Sequence, residues 1–204
     1  MDLGNVTVRL RFDAFFAGLG AACVPQRGRA ELLEIFKDPG FGHGDYERGL
    51  MDGRAWHALL RGRLGLGLDY EAWLRLWQGC FEPNTAMEAL LTELRGQTRL
   101  WGLSNTNADH LRHLKLAYPV LGAFEGVTAS CEVGALKPEA AIYAAALQAL
   151  GLDGPEVLYL DDIPGYVRAA EACGIRGFHY TFNDAALRER LVSLGFRLAR
   201  DPGI

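Results

Sequence analysis

Apolar residues recur at three- and four-residue spacing through the first part of this chain, then give way to short apolar runs separated by helical stretches. Between positions 13 and 81 the spacing predicts helices over Arg29–Phe36, Arg54–Leu64 and Tyr70–Phe81. Glycine-rich connectors separate them, Gly40-Phe41-Gly42-His43-Gly44 and Gly62 to Gly67, and no strand run interrupts. A further helix, Ala86–Arg95, follows the cap candidates Asn84-Thr85 and stops at Gly96. Beyond it the runs Leu100–Leu103, Gly126–Ser130, Val157–Leu160 and Gly177–Tyr180 predict strands. The helices between them are one carrying Leu111, Leu114 and Leu116, the alanine-rich Pro138–Leu150, and Val167–Cys173. Pro138 suits the first position of its helix.

Short strands alternating with helices imply a parallel sheet with right-handed crossovers. A chain of 204 residues suits one domain with a modest insertion. The expected fold is α/β, a Rossmann-like parallel sheet with flanking helices over 1–12 and 82–204. The segment 13–81 is expected to form a helical cap, a plausible lid.

The charge balance narrows the partners. A formal charge of -4 and a pI near 5.7 leave no basic stripe to neutralise phosphates, so no nucleic-acid partner is expected. Arginine outnumbers lysine 18 to 3, from which no function follows. No apolar run approaches the ~20 residues of a membrane helix. No signal peptide is visible. Cys23, Cys80, Cys131 and Cys173 form no C-x-x-C pair, which speaks against structural zinc and reads as reduced thiols in a cytoplasmic protein.

Polar signals sit where apolar runs end: Asp2, Ser104-Asn105, Lys137 and Asp161-Asp162. In a parallel sheet such ends converge on one edge, where open α/β folds bind ligands. Two adjacent carboxylates repel unless a cation or a proton neutralises them. Blander readings stand beside these: a solvated turn for the acidic pair, a helix cap for Ser104-Asn105, a loop lysine for Lys137, surface positions for His43, His110 and His113. Together the residues form a kit for phosphoryl chemistry. Carboxylates hold Mg²⁺, one carboxylate attacks phosphorus, and lysine and hydroxyl stabilise the transferring group.

The segments Asp2-Leu3-Gly4-Asn5-Val6, Leu103-Ser104-Asn105-Thr106-Asn107, Gly134-Ala135-Leu136-Lys137-Pro138-Glu139 and Leu160-Asp161-Asp162 resemble, in order and spacing, the four motifs of the haloacid-dehalogenase-like (HAD) superfamily. The similarity runs through Tyr46-Glu47-Arg48-Gly49 and covers essentially the whole chain. Within subfamily IA the chain resembles the branch of phosphatases that includes α-D-glucose-1-phosphate phosphatase, which share the D-L-G-N-V form of the first motif. The resemblance implies a Mg²⁺-dependent phosphatase for a small phosphorylated metabolite, a sugar phosphate by the branch, working as a monomer or homodimer. It implies Asp2 as nucleophile and metal ligand, and Ser104 and Lys137 as phosphoryl-binding groups. Asp162 is the expected direct metal ligand, Asp161 direct or through water, and Gly4 lends its carbonyl. Asn105 and Arg48 are candidates for substrate contact.

Two departures from the family pattern matter. Gly4 stands where an acid–base aspartate is common. General acid–base help is typically worth about 10²–10⁴-fold, so activated phosphates and a steep dependence on leaving-group pKa are expected. His43 and Glu47 are candidate substitutes from the lid. The pattern also places the nucleophile at the end of a central apolar strand, whereas only Met1 precedes Asp2. The expectation is that the first strand is missing here and that the native chain begins upstream. With Met1 as the start, its α-ammonium would compete with Mg²⁺ for Asp2. Rival readings are a metal-free haloacid dehalogenase, which the acidic pair disfavours, a phosphomutase, which Gly4 disfavours, and a phosphate-binding regulatory protein.

Overall fold

A computed structural model describes residues 1–199; the end of the expected core domain, 200–204, lies outside them. Strands β3 (Trp101–Ser104) and β4 (Gly126–Ala129) pair in parallel, with Ser104 opposite Ala129. Strands β5 (Leu158–Asp161) and β6 (Arg176–His179) do the same, with Asp161 opposite His179. Helices α6 (Thr85–Leu94), α7 (Ala108–Ala117), α9 (Ala140–Leu150) and α10 (Pro164–Ala172) alternate with the strands, as the periodicity predicts, and the short α8 (Ser130–Val133) and the last helix, α11 (Asp184–Ser193), add to them.

Among the described residues, the backbone of Met1 and Asp2 joins the two strand pairs. The Leu103 amide donates to the Met1 carbonyl at 2.9 Å, and the Asp2 amide donates to the Leu160 carbonyl at 2.9 Å. The Met1 amine turns to the Trp101 carbonyl at 2.8 Å and forms no ion pair with Asp2. Burial lowers the pKa of this amine to about 5. Beneath this two-residue splice lies a cavity of about 400 Å³, lined by Met1, Leu103, Leu147, Tyr159, Leu160 and Ile175 among others.

A helical layer covers the sheet's carboxyl edge: α1 (Phe12–Ala21), α2 (Arg29–Lys37), α3 (His43–Glu47), α4 (Gly53–Leu64) and α5 (Tyr70–Gln78). Their apolar faces meet in one cluster that includes Phe15, Leu32, Trp56, Leu60, Trp73 and Trp77. The first glycine-rich connector is not all loop, because Pro39–Phe41 forms a 3₁₀ turn and α3 follows it. Helix α5 stops short of the predicted Phe81. The chain turns at Gly79, and Phe81–Pro83 (β2) pairs antiparallel with Val8–Leu10 (β1), Leu10 opposite Phe81. This small ribbon ties together the two ends of the helical segment. Pro138 does not open α9 either: it follows a cis bond from Lys137, and the helix begins at Ala140.

The layer is fastened to the sheet through a buried carboxylate. Asp109, on α7, accepts from the Tyr46 hydroxyl at 2.7 Å and the Tyr70 hydroxyl at 3.3 Å. A second fastening is the Ser130 hydroxyl, which donates to the Glu47 carbonyl at 2.7 Å.

Candidate active site

The parallel strands deliver their last residues to one point. Ser104 ends β3, Asp161 ends β5, and Asp2 emerges from the splice between them. Lys137 arrives on the loop before α9 and is almost wholly buried, its ammonium 2.9 Å from Asp2 Oδ1 and 2.8 Å from Asp161 Oδ2. The Tyr159 hydroxyl joins this centre, 3.0 Å from the lysine Nζ and donating to Asp161 Oδ2. Asp161 is thereby occupied by internal donors, since its Oδ1 also accepts from the Ile163 amide at 2.8 Å. Asp162 is more open, with only its Oδ2 held, by the Asn5 amide at 3.1 Å.

Asp2 is pinned on one side only. Its Oδ1 accepts from the Leu3 amide at 2.8 Å and from Lys137, whereas among the described residues no donor reaches Oδ2. Burial pushes the Asp2 carboxyl up from 3.8 to about 6, and the lysine beside it opposes that rise. Burial alone would depress Lys137, but the facing carboxylates of Asp2 and Asp161 outweigh it and raise its pKa. Asp162 is raised, chiefly by burial.

A cation fits this donor set. One carboxylate oxygen from each of Asp2, Asp161 and Asp162 lies within 4.8 Å of the others. Three carboxylates face one ammonium, and hard oxygen donors of this kind suit Mg²⁺.

The sign of the Asp2 shift sets a pH dependence. Its folded pKa lies above its unfolded value, so its contribution to stability is present below about pH 4 and is lost as the pH rises through about 6. In metal-free protein the stability of Asp2→Asn relative to the parent should therefore grow between pH 4 and pH 7. Urea melts across that range check this, and a constant difference would refute it.

Other sequence candidates are placed differently. Arg48 has protein partners: its guanidinium pairs with Glu139, Nη1 to Oε2 at 2.9 Å, and Nη1 reaches the Gly134 carbonyl at 3.3 Å. Asn105 closes its amide on the backbone of Lys137, accepting from that N–H at 2.7 Å and donating to that carbonyl at 3.0 Å, and so braces the lysine loop. Ser104-Asn105 does not cap the next helix, because Asn107 does so by accepting from the His110 amide. Ser104 is left lining a small pocket with Gly4. His110 is buried, not a surface residue, with Nε2 3.2 Å from the Trp77 carbonyl. Tyr159 was missed, although strand alternation puts it on the same face as Asp161. Asn5, at a positive φ of 55°, also escapes pattern reading because its role depends on Asp162, far along the chain.

A covered carboxyl edge that gathers carboxylates around a buried lysine defines an α/β hydrolase class. The family model described as haloacid dehalogenase-like hydrolase matches residues 27–174, and the chain belongs to that family. The sesquiterpene phosphatase astK of Aspergillus oryzae is 30% identical over 146 residues, 71% of this chain and 74% of that protein. A predicted HAD-like hydrolase from Porphyromonas gingivalis superposes with a TM-score of 0.78 at 27% identity, covering 94% of this chain and 95% of its own. A HAD family enzyme from Bacteroides thetaiotaomicron, solved with magnesium and inorganic phosphate, superposes with a TM-score of 0.77 at 25% identity, covering 87% and 90%. The chain is a hydrolase, and a phosphatase-like one. No helix among the described residues is long and apolar enough to cross a membrane.

Proposed function

We propose that this protein hydrolyses a small phosphate monoester with Mg²⁺, through a phosphoryl group carried on Asp2. The observation that carries the reading is the asymmetry of that carboxylate: Oδ1 is fixed by Leu3 and Lys137, and Oδ2 is left to attack. The buried lysine and the Ser104 hydroxyl would hold the phosphoryl oxygens as charge develops on them. Asp162, Asp161, Asp2 and the Gly4 carbonyl would hold Mg²⁺, which when bound supplies charge stabilisation for the transferring group. Attack by Asp2 forms an Asp2–phosphorus bond as the ester P–O bond breaks, and water then hydrolyses the acyl phosphate.

The organic part of the substrate would face the pocket of about 100 Å³ between sheet and cap, walled by Leu10, Phe12, Trp77 and Phe81. His43, Glu47 and Thr106 line the same pocket, so it has both apolar and hydrogen-bonding walls, and phosphates of small apolar alcohols stand beside the sugar phosphates expected from sequence. The name of the Aspergillus relative, a sesquiterpene phosphatase, is in line with the first of these.

Phosphate release from alkyl, prenyl, aryl, acetyl and sugar phosphates tests the reading. Release should need Mg²⁺, stop on chelation and return when the ion is restored. Turnover indifferent to chelation would refute the metal-dependent route. A folded protein that is stabilised by phosphate but releases none would favour a regulatory phosphate-binding role.

A further inference from the structure

An ester oxygen that leaves phosphorus as an alkoxide needs a proton unless it is already a good leaving group. The sheet side of the pocket offers no side chain for this at position 4, where a Cβ would meet Leu10 Cδ1 at 2.9 Å. Three side chains able to carry a proton line the pocket: His43, Glu47 and His110. His110 is already turned to the Trp77 carbonyl, and burial lowers it to about 3. His43 and Glu47 remain, four residues apart on α3 and so on one face of the helix.

His43 carries the clearer mark. Its ring is held among Phe36, Trp56 and Trp77, with centroids 5.4, 5.6 and 6.1 Å away. Its Nε2 is buried and has no hydrogen-bond partner among the described residues. A buried polar atom without a partner is costly, and a hydrogen-bond partner brought to it would relieve that cost.

We propose that His43 is the proton carrier of the reaction, delivered by the cap and acting through Nε2. This rests on the phosphatase reading above. In the first half the bond from Asp2 to phosphorus forms, the ester P–O bond breaks, and the departing oxygen takes the proton of His43, leaving as a neutral alcohol. In the second half a water oxygen bonds to phosphorus and its proton passes to the neutral imidazole. The Asp2 carboxylate and inorganic phosphate are released. The proton balance closes within the pair of steps. Acid–base chemistry is then available only while α3 sits on the sheet, held there by the Ser130–Glu47 and Tyr46–Asp109 contacts.

The test is a leaving-group series, from a dinitrophenyl phosphate through phenyl to alkyl phosphates, run with Mg²⁺ on the parent, His43→Gln and Glu47→Gln. His43→Gln should lose about 10²–10³-fold in kcat/KM on alkyl phosphates and less than about threefold on the dinitrophenyl ester, which needs no proton. With His43 supplying the proton, the parent should show a shallow dependence on leaving-group pKa in place of the steep one that Gly4 alone implies, and the variant should show the steep one. Added imidazole should restore part of the alkyl phosphatase activity of His43→Ala. An equal loss along the whole series, no loss at all, or the steep response in Glu47→Gln instead would overturn the assignment. A parent that turns over none of the esters would instead strike the phosphatase reading, and this proposal with it.

Discussion

Asp2→Asn should lose turnover by a factor on the order of 10⁴–10⁶ while keeping its fold, the scale seen when a covalent nucleophile is removed. The asparagine retains an oxygen for the Leu3 amide, so the local backbone arrangement survives. What it lacks is an anionic oxygen in the place of Oδ2, which no donor reaches among the described residues. Lys137 keeps Asp161 and Tyr159 as partners, so its charge is not stranded. The carboxyl raised to about 6 by burial is exchanged for a neutral amide, so metal-free protein at pH 7.5 should melt no lower than the parent. Single-turnover phosphate release beside a thermal melt separates the two effects. Activity within tenfold of the parent in a folded variant would remove Asp2 from the chemistry.

Lys137→Met should be the most destabilising of the conservative-sized changes at the site. Asp2 and Asp161 are both buried and both lean on this ammonium. Removing one member of a buried charge group typically costs about 3–5 kcal/mol, because the opposite charges are left without compensation. For a chain of this size that is a fall in melting temperature of roughly 6–20 °C. Part of it should return on adding Mg²⁺, since a divalent cation at the three carboxylates replaces the lost positive charge. Activity should stay low even then, because the phosphoryl oxygens lose a fixed cation. Differential scanning calorimetry with and without Mg²⁺ checks the first point. A melt unchanged from the parent would mean that the carboxylates pair with protons and not with Lys137.

Much of this was legible along the chain because the relevant signals are local. The parallel strands announced themselves as short apolar runs, and their ends located Asp2, Ser104 and Asp161 on one edge. The helices over Arg29–Lys37 and Gly53–Leu64 were readable to within one residue at each end, since one buried face sets the spacing. What failed depends on partners distant in sequence. Strand β2 exists because Phe81 meets Leu10, and a three-residue strand carries too little pattern to be seen alone. Arg48 looked available because Glu139, which engages it, lies 91 residues away. Asn105 looked like a substrate contact because nothing local shows that its amide closes on the backbone of Lys137, 32 residues further on. His110 sits on an ordinary amphipathic helix, and only the packing of Trp77 and Phe81 over it takes it out of water.

The void under Met1 bears on how firmly the nucleophile is held. Met1 and Asp2 carry backbone hydrogen bonds to both strand pairs, so the nucleophile is mounted on backbone with a void on one side. A mount backed so loosely gives with its surroundings, and an apolar solute small enough to enter the void would brace it. Thermal melts with and without such a solute would measure how tightly that mount governs the active centre.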